Sequence, residues 1–160
     1  MIDYDIKAPE WVKYRLRYLN ADGTKKFKMP DATYNLLMSD PRKFKSYCNG
    51  VGSKVGFWGK LTYHFIPNWC WFISIIIEAD LHDVGYSIPA EFETRKKARQ
   101  YKAMIDLNFH DNICLDGERR GGALGEAMKA GAWVRYLAVD NLGLGSFLSG
   151  KIILDEIKTI

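Results

Sequence analysis

Cysteine is scarce in this chain of 160 residues: Cys48, Cys70 and Cys114 are the only three, and none stands in a Cys-x-x-Cys pair. An odd number at such spacing excludes a closed disulfide framework and gives no zinc knuckle, so reduced thiols in a bacterial or viral cytoplasm are expected. Long apolar runs are missing too. The most apolar stretch, Phe65 to Ile77, is interrupted by Pro67-Asn68 and closed by Glu78, well short of the ~20 residues a membrane span needs. It reads as part of a buried helix. The start, Met1-Ile2-Asp3-Tyr4-Asp5-Ile6-Lys7, lacks the basic, apolar and small-residue regions of a secretory signal, so export by that route is not expected. No internal repeat, low-complexity tract or domain boundary is visible.

What is present points to one packed domain over 1–160. Hydrophobic residues make up 48% and aromatics 14%, with five Trp and nine Tyr, more than a disordered chain carries. Twenty-three Lys and Arg against 19 Asp and Glu leave a net charge of +4, which modestly favours anionic partners such as lipid headgroups or nucleic acid. The basic clusters Lys25-Lys26-Lys28, Arg42-Lys43-Lys45 and Arg95-Lys96-Lys97-Arg99 are solvated faces by default. Converging near a site beside an exposed Trp58 or Trp69, they would suit an anionic phospholipid surface. No specific nucleic-acid motif accompanies them.

The coarse pattern is mainly helical with a small N-terminal β-hairpin. Trp11 to Leu19 alternates large apolar with basic residues, Asn20-Ala21-Asp22-Gly23 supplies a turn, and Lys25 to Met29 would pair back, giving the hairpin over 11–29. Short helices follow, from Asp31 as cap to Met38 and from Asp40-Pro41 to Tyr47. After a glycine-rich loop, Cys48 to Gly56, and a short strand Leu61 to Phe65, Asn68 would cap a central helix from Trp69 to Tyr86. A linker with Pro89 leads to an antiparallel helix from about 94 to Cys114, with Asp116-Gly117 as its stop. A third helix, Arg119 to about Asn141, would pack through Gly121, Gly125 and Gly131. Residues 1–47 thus precede a core over 48–150 and a tail over 151–160.

The chemistry-bearing stretch is Glu78-Ala79-Asp80-Leu81-His82-Asp83-Val84-Gly85-Tyr86. On a helix Tyr86 lies one turn beyond His82 on the same face, whereas Asp83 diverges from His82 by about 100°. His82 and Asp83 can therefore serve two sides of one site, one as base toward a water and the other beside a metal.

Gly50-x-Gly52 after Cys48, followed by His82-Asp83-x-x-Tyr86, resembles the phospholipase A2 family. That resemblance implies a helical core of two long antiparallel helices plus a third, and a calcium-dependent ester hydrolase. It assigns His82 as general base, Asp83 and the carbonyls of Gly50 and Gly52 as calcium ligands, and an Asp on the antiparallel helix as the group orienting His82, bonded in turn by Tyr86. Residues 45 to 150 also resemble a group of small phage and prophage proteins of unassigned function. Their second helix carries an Ala-Asp-x-x-Phe-x-x-Asn-Met/Ile pattern, matched here by Ile105-Asp106-Leu107-Asn108-Phe109-His110-Asp111-Asn112-Ile113. The resemblance makes Asp106 the orienting carboxylate. The chain departs from the secreted enzymes at Ala79 and Gly85, which stand where they have disulfide cysteines.

Two readings from different classes follow. One is a calcium-dependent lipid or ester hydrolase; the other is a non-catalytic, phage-derived binding or assembly module that keeps the helical scaffold. His110-Asp111 is a second His-Asp pair, but helical His-Asp phosphohydrolases draw ligands from more helices than so short a chain offers. Cys48, Cys70 and His64 match no common zinc spacing.

Overall fold

The structure, a computed structural model, describes residues 8–48, 69–70 and 73–157. The glycine loop with Gly50 and Gly52, the expected strand Leu61 to Phe65, Trp58, His64 and the Asn68 cap lie outside the described residues.

The described chain is mainly helical. Its elements are α1 (Pro9–Arg15), α2 (Asp31–Ser39), α3 (Pro41–Tyr47), β1 (Trp69–Cys70), β2 (Ile73–Ser74), α4 (Ile76–Ser87), β3 (Ala90–Phe92), α5 (Arg95–Arg120), α6 (Gly122–Leu142), α7 (Leu144–Leu148), β4 (Lys151–Ile153) and α8 (Leu154–Ile157).

The hairpin expected over 11–29 is not formed. Pro9 opens α1 at a position where its missing N–H costs nothing, and Glu10 faces the positive end of the helix dipole. Trp11, Tyr14 and Tyr18 recur at helical spacing as well as fitting a strand alternation. Their rings meet edge to face, Trp11 with Tyr14 and Tyr14 with Tyr18, so the helical period wins. The turn itself is real: Gly23 sits at φ +83°, and a single antiparallel bridge joins Leu19 to Lys25.

Other boundaries shift. Asp31 is the first residue of α2, not its cap, and its carboxylate takes the Lys25 ammonium at 2.7 Å. The central helix begins at Ile76 instead of Trp69, because Trp69–Cys70 and Ile73–Ser74 pair as a short antiparallel ladder. The Asp116-Gly117 stop is overrun, and α5 continues to Arg120. Gly117 is needed inside the helix because a Cβ there would lie 2.9 Å from the Gly125 carbonyl oxygen of α6. The real break is Gly121-Gly122, at φ +67° and +61°, a left-handed corner that side chains resist. Gly121 is thus a hinge, whereas Gly125 and Gly131 are buried in α6.

Helix α4 is the axis of the fold. Ala79 packs with Ile75, Phe109, Ile113, Met128, Ala132 and Val139 between α5 and α6, while Leu81 and Val84 pack with Tyr18, Leu37 and Phe44 of the N-terminal region. Covered from both sides, it has little room for solvent and buries Glu78, Asp80 and His82 as well. A parallel pair the sequence did not announce, Ala90–Phe92 with Lys151–Ile153, ties the start of the tail beside the start of α5.

Candidate functional site

His82 and Tyr86 lie one turn apart on α4, facing α5, which runs antiparallel to it. Gly85 permits the approach: a Cβ there would meet the Ile105 side chain at 3.1 Å. The His82 ring lies between Tyr86 and Phe109, at centroid distances of 4.2 and 4.9 Å. Its Nε2 is 3.0 Å from Asp106 Oδ1, and the Tyr86 hydroxyl donates to the same oxygen at 2.7 Å. His82, Asp106 and Tyr86 are therefore brought together.

Asp106 is fully buried. Burial alone would raise its pKa, but the bonds from His82, Lys102 and Tyr86 outweigh that and hold it below the usual carboxylate range. A carboxylate only accepts, so Nε2 must donate. The neutral imidazole then carries its hydrogen on Nε2 and a lone pair on Nδ1. Among the described residues Nδ1 has no hydrogen-bond partner. Asp83 Oδ1 stands 3.9 Å from it, too far for a direct bond. Burial disfavours the imidazolium, yet Asp106 and Asp83 together raise His82 above its ordinary value. Burial, with the Asp106 charge, pushes the Tyr86 phenol far up, so it stays a donor.

Sequence reasoning missed Lys102. Its ammonium, buried with Asp106, donates to Asp106 Oδ2 at 2.5 Å and to the Val139 and Asp140 carbonyls at 3.1 and 3.0 Å. The signal was available as a Lys and an Asp four apart on a face otherwise apolar. Gly143 was missed as well: a Cβ there would lie 2.5 Å from the Tyr86 hydroxyl.

A second network adjoins the site on α4. Tyr18 donates to buried Asp80 at 2.7 Å, Arg17 lies 3.6 Å from the same oxygen, and the Tyr18 and Tyr14 hydroxyls lead to the Cys48 thiol. Burial pushes that thiol up to about 12. Elsewhere His110 is engaged by Asp111 at 3.0 Å and approaches Cys114 at 3.7 Å. Among the described residues no group of three His, Cys, Asp or Glu side chains is placed to hold a metal ion.

No family model, curated protein or solved structure matches this chain. The site's own geometry must therefore carry any functional reading.

Proposed function

We propose that the chain is a phospholipase A2-like hydrolase of lipid carboxylic esters, of the phage or prophage type it resembles. The observation that supports this is the His82 ring held by Asp106 through Nε2 with Nδ1 left bare. In the proposed step Nδ1 takes a proton from a water whose oxygen attacks the ester carbonyl carbon. The C–O bond to the leaving alcohol then breaks, and that alcohol oxygen receives the proton from Nδ1. Asp106 and Tyr86 hold the ring so that the lone pair keeps one direction.

Calcium belongs to the proposal through Asp83, Gly50 and Gly52. Calcium takes six to eight oxygens, and among the described residues Asp83 alone offers one of those proposed ligands, so no step is routed through the ion.

The proposed partner is an anionic phospholipid surface. No helix among the described residues is long and apolar enough to cross a membrane. Of the three basic clusters, Arg42 and Lys45 join Arg17 over the Trp11, Tyr14 and Tyr18 rings, the tyrosines that lead to Asp80 and Cys48. Val12 and Leu16 are exposed on the same segment. Lys25, Lys28, Arg95 and Lys97 lie in ion pairs with Asp31, Asp111, Glu156 and Glu93.

The alternative, a non-catalytic binding or assembly module, is supported by one observation: Nδ1 is itself shut off from solvent. Fatty-acid release from anionic vesicles separates the two. The hydrolase should release fatty acid with calcium, lose that activity in chelator, and lose it in His82→Gln. Absence of release by the unaltered protein at millimolar calcium would leave the module reading.

A further inference from the structure

We propose that Lys102 is a positioning residue of this site, the buried counter-ion that keeps Asp106 a carboxylate and divides its two oxygens between partners. The division is seen directly. Oδ2 accepts from Lys102, and Oδ1 accepts from both His82 and Tyr86. The Asp106 side chain is wholly buried and that of Lys102 only 4% exposed. A lone carboxylate at such a place would take up a proton sooner than stay charged.

What makes Lys102 more than a chance pair is how its ammonium is held. All three of its hydrogens have acceptors: Asp106 Oδ2 from its own helix, and the Val139 and Asp140 carbonyls from the last turn of α6. That last turn carries no basic side chain of its own, so Lys102 supplies from a neighbouring helix the cation that the negative end of the α6 dipole favours. The ammonium is fixed from two sides and cannot swing away from Asp106. The groups facing Asp106 are His82 and Tyr86 from α4 and Lys102 from α5, with Asp140 of α6 3.7 Å beyond the ammonium.

Removing the charge has a definite consequence. Without a counter-ion Asp106 gains a proton from solvent on Oδ2, the oxygen that Lys102 leaves, and Oδ1 changes from a charged acceptor to a neutral carbonyl oxygen. The bonds from Nε2 and the Tyr86 hydroxyl to Oδ1 are then no longer charge-assisted and weaken, so the ring that must present a bare Nδ1 to water is held less firmly. For that last consequence alone the inference rests on the hydrolase reading.

The test is the side-chain carboxyl carbon resonance of Asp106 in 13C-labelled protein at neutral pH, for the wild type, Lys102→Met and Lys102→Gln. Ile113→Ala serves as a destabilised control distant from the ion pair. A carboxylate signal is expected in wild type and control, and a carboxylic-acid signal in both Lys102 variants. A folded Lys102 variant that retains the carboxylate signal overturns the proposal. Should neither variant fold, the wild type decides. Its Lys102 Nζ hydrogens must be resolved and protected from exchange, and an ammonium exchanging as fast as that of exposed Lys96 overturns the proposal. Vesicle hydrolysis does not enter these readouts, so the hydrolase reading and this one fail separately.

Discussion

Glu78 shows what burial does to a carboxyl group that lacks Asp106's partners. It lies in the first turn of α4, 2% exposed, and burial pushes it up to about 7, with Asp116 adding to the rise and Arg120 and Arg119 opposing it. Its folded value exceeds the ordinary 4.5, so between those two values the folded state binds more protons than the unfolded one. Stability contributed at low pH is therefore lost as pH rises through about 7. At ~1.4 kcal/mol per unit, wild type should lose up to about 3 kcal/mol between about pH 5 and about pH 8. Glu78→Gln should flatten that slope, and urea midpoints at the two pH values check it. An unchanged slope would mean that Glu78 is solvated. His82 and Tyr86 were legible in the sequence because a helix repeats its face every turn, and Asp106 because of the resemblance. Lys102 was not, because a lysine on a helix is solvated by default and only the position of α6 makes it buried.

At the level of helices, most of the α-content could be read from capping signs and period, and the errors share one cause. Where a segment fits two periods, as Trp11 to Tyr18 does, local pattern cannot decide, and the neighbouring rings do. Glycines were read as stops or as a stripe, yet Gly117 and Gly125 answer to each other across α5 and α6, and Gly121 to its own positive φ. Gly143 is the case that touches the site. Its φ of −80° suits any residue, but a Cβ would collide with the Tyr86 hydroxyl and the Val139 carbonyl, both at 2.5 Å. Gly143→Ala should cost about 1–3 kcal/mol by overpacking and displace the hydroxyl from Asp106. In a Tyr86→Phe background, where that hydroxyl is gone, the same substitution should cost less, with a coupling of about 0.5 kcal/mol or more in a double-mutant cycle. Strict additivity would count against the collision.

Across the whole chain, what the sequence concealed is long-range. The pairing of 90–92 with 151–153 joins segments that each read as linker or tail. His82 stands level with Asp106 although their distances from the helix ends differ, with the strand Ala90–Phe92 lying between α4 and α5. The N-terminal region is joined to α5 by a fully buried side chain: Asn112 accepts from the Lys28 N–H at 2.7 Å and donates to the Lys28 carbonyl at 2.8 Å. Asn112→Ala should cost about 1–3 kcal/mol by leaving both backbone groups unpaired, and the Lys28 amide should lose its protection in hydrogen exchange. Full protection of that amide in the variant would show the clamp to be idle. This clamp also sets a timetable for synthesis. Asn112 is made 84 residues after Lys28, and at ~5–20 residues per second the earlier segment waits about 4–17 s for its partner. Phe27 and Met29 pack in a core that includes Leu81 and Val84 of α4, so for the first part of that interval they have no finished surface to rest on, and the newborn chain is open to capture by a chaperone.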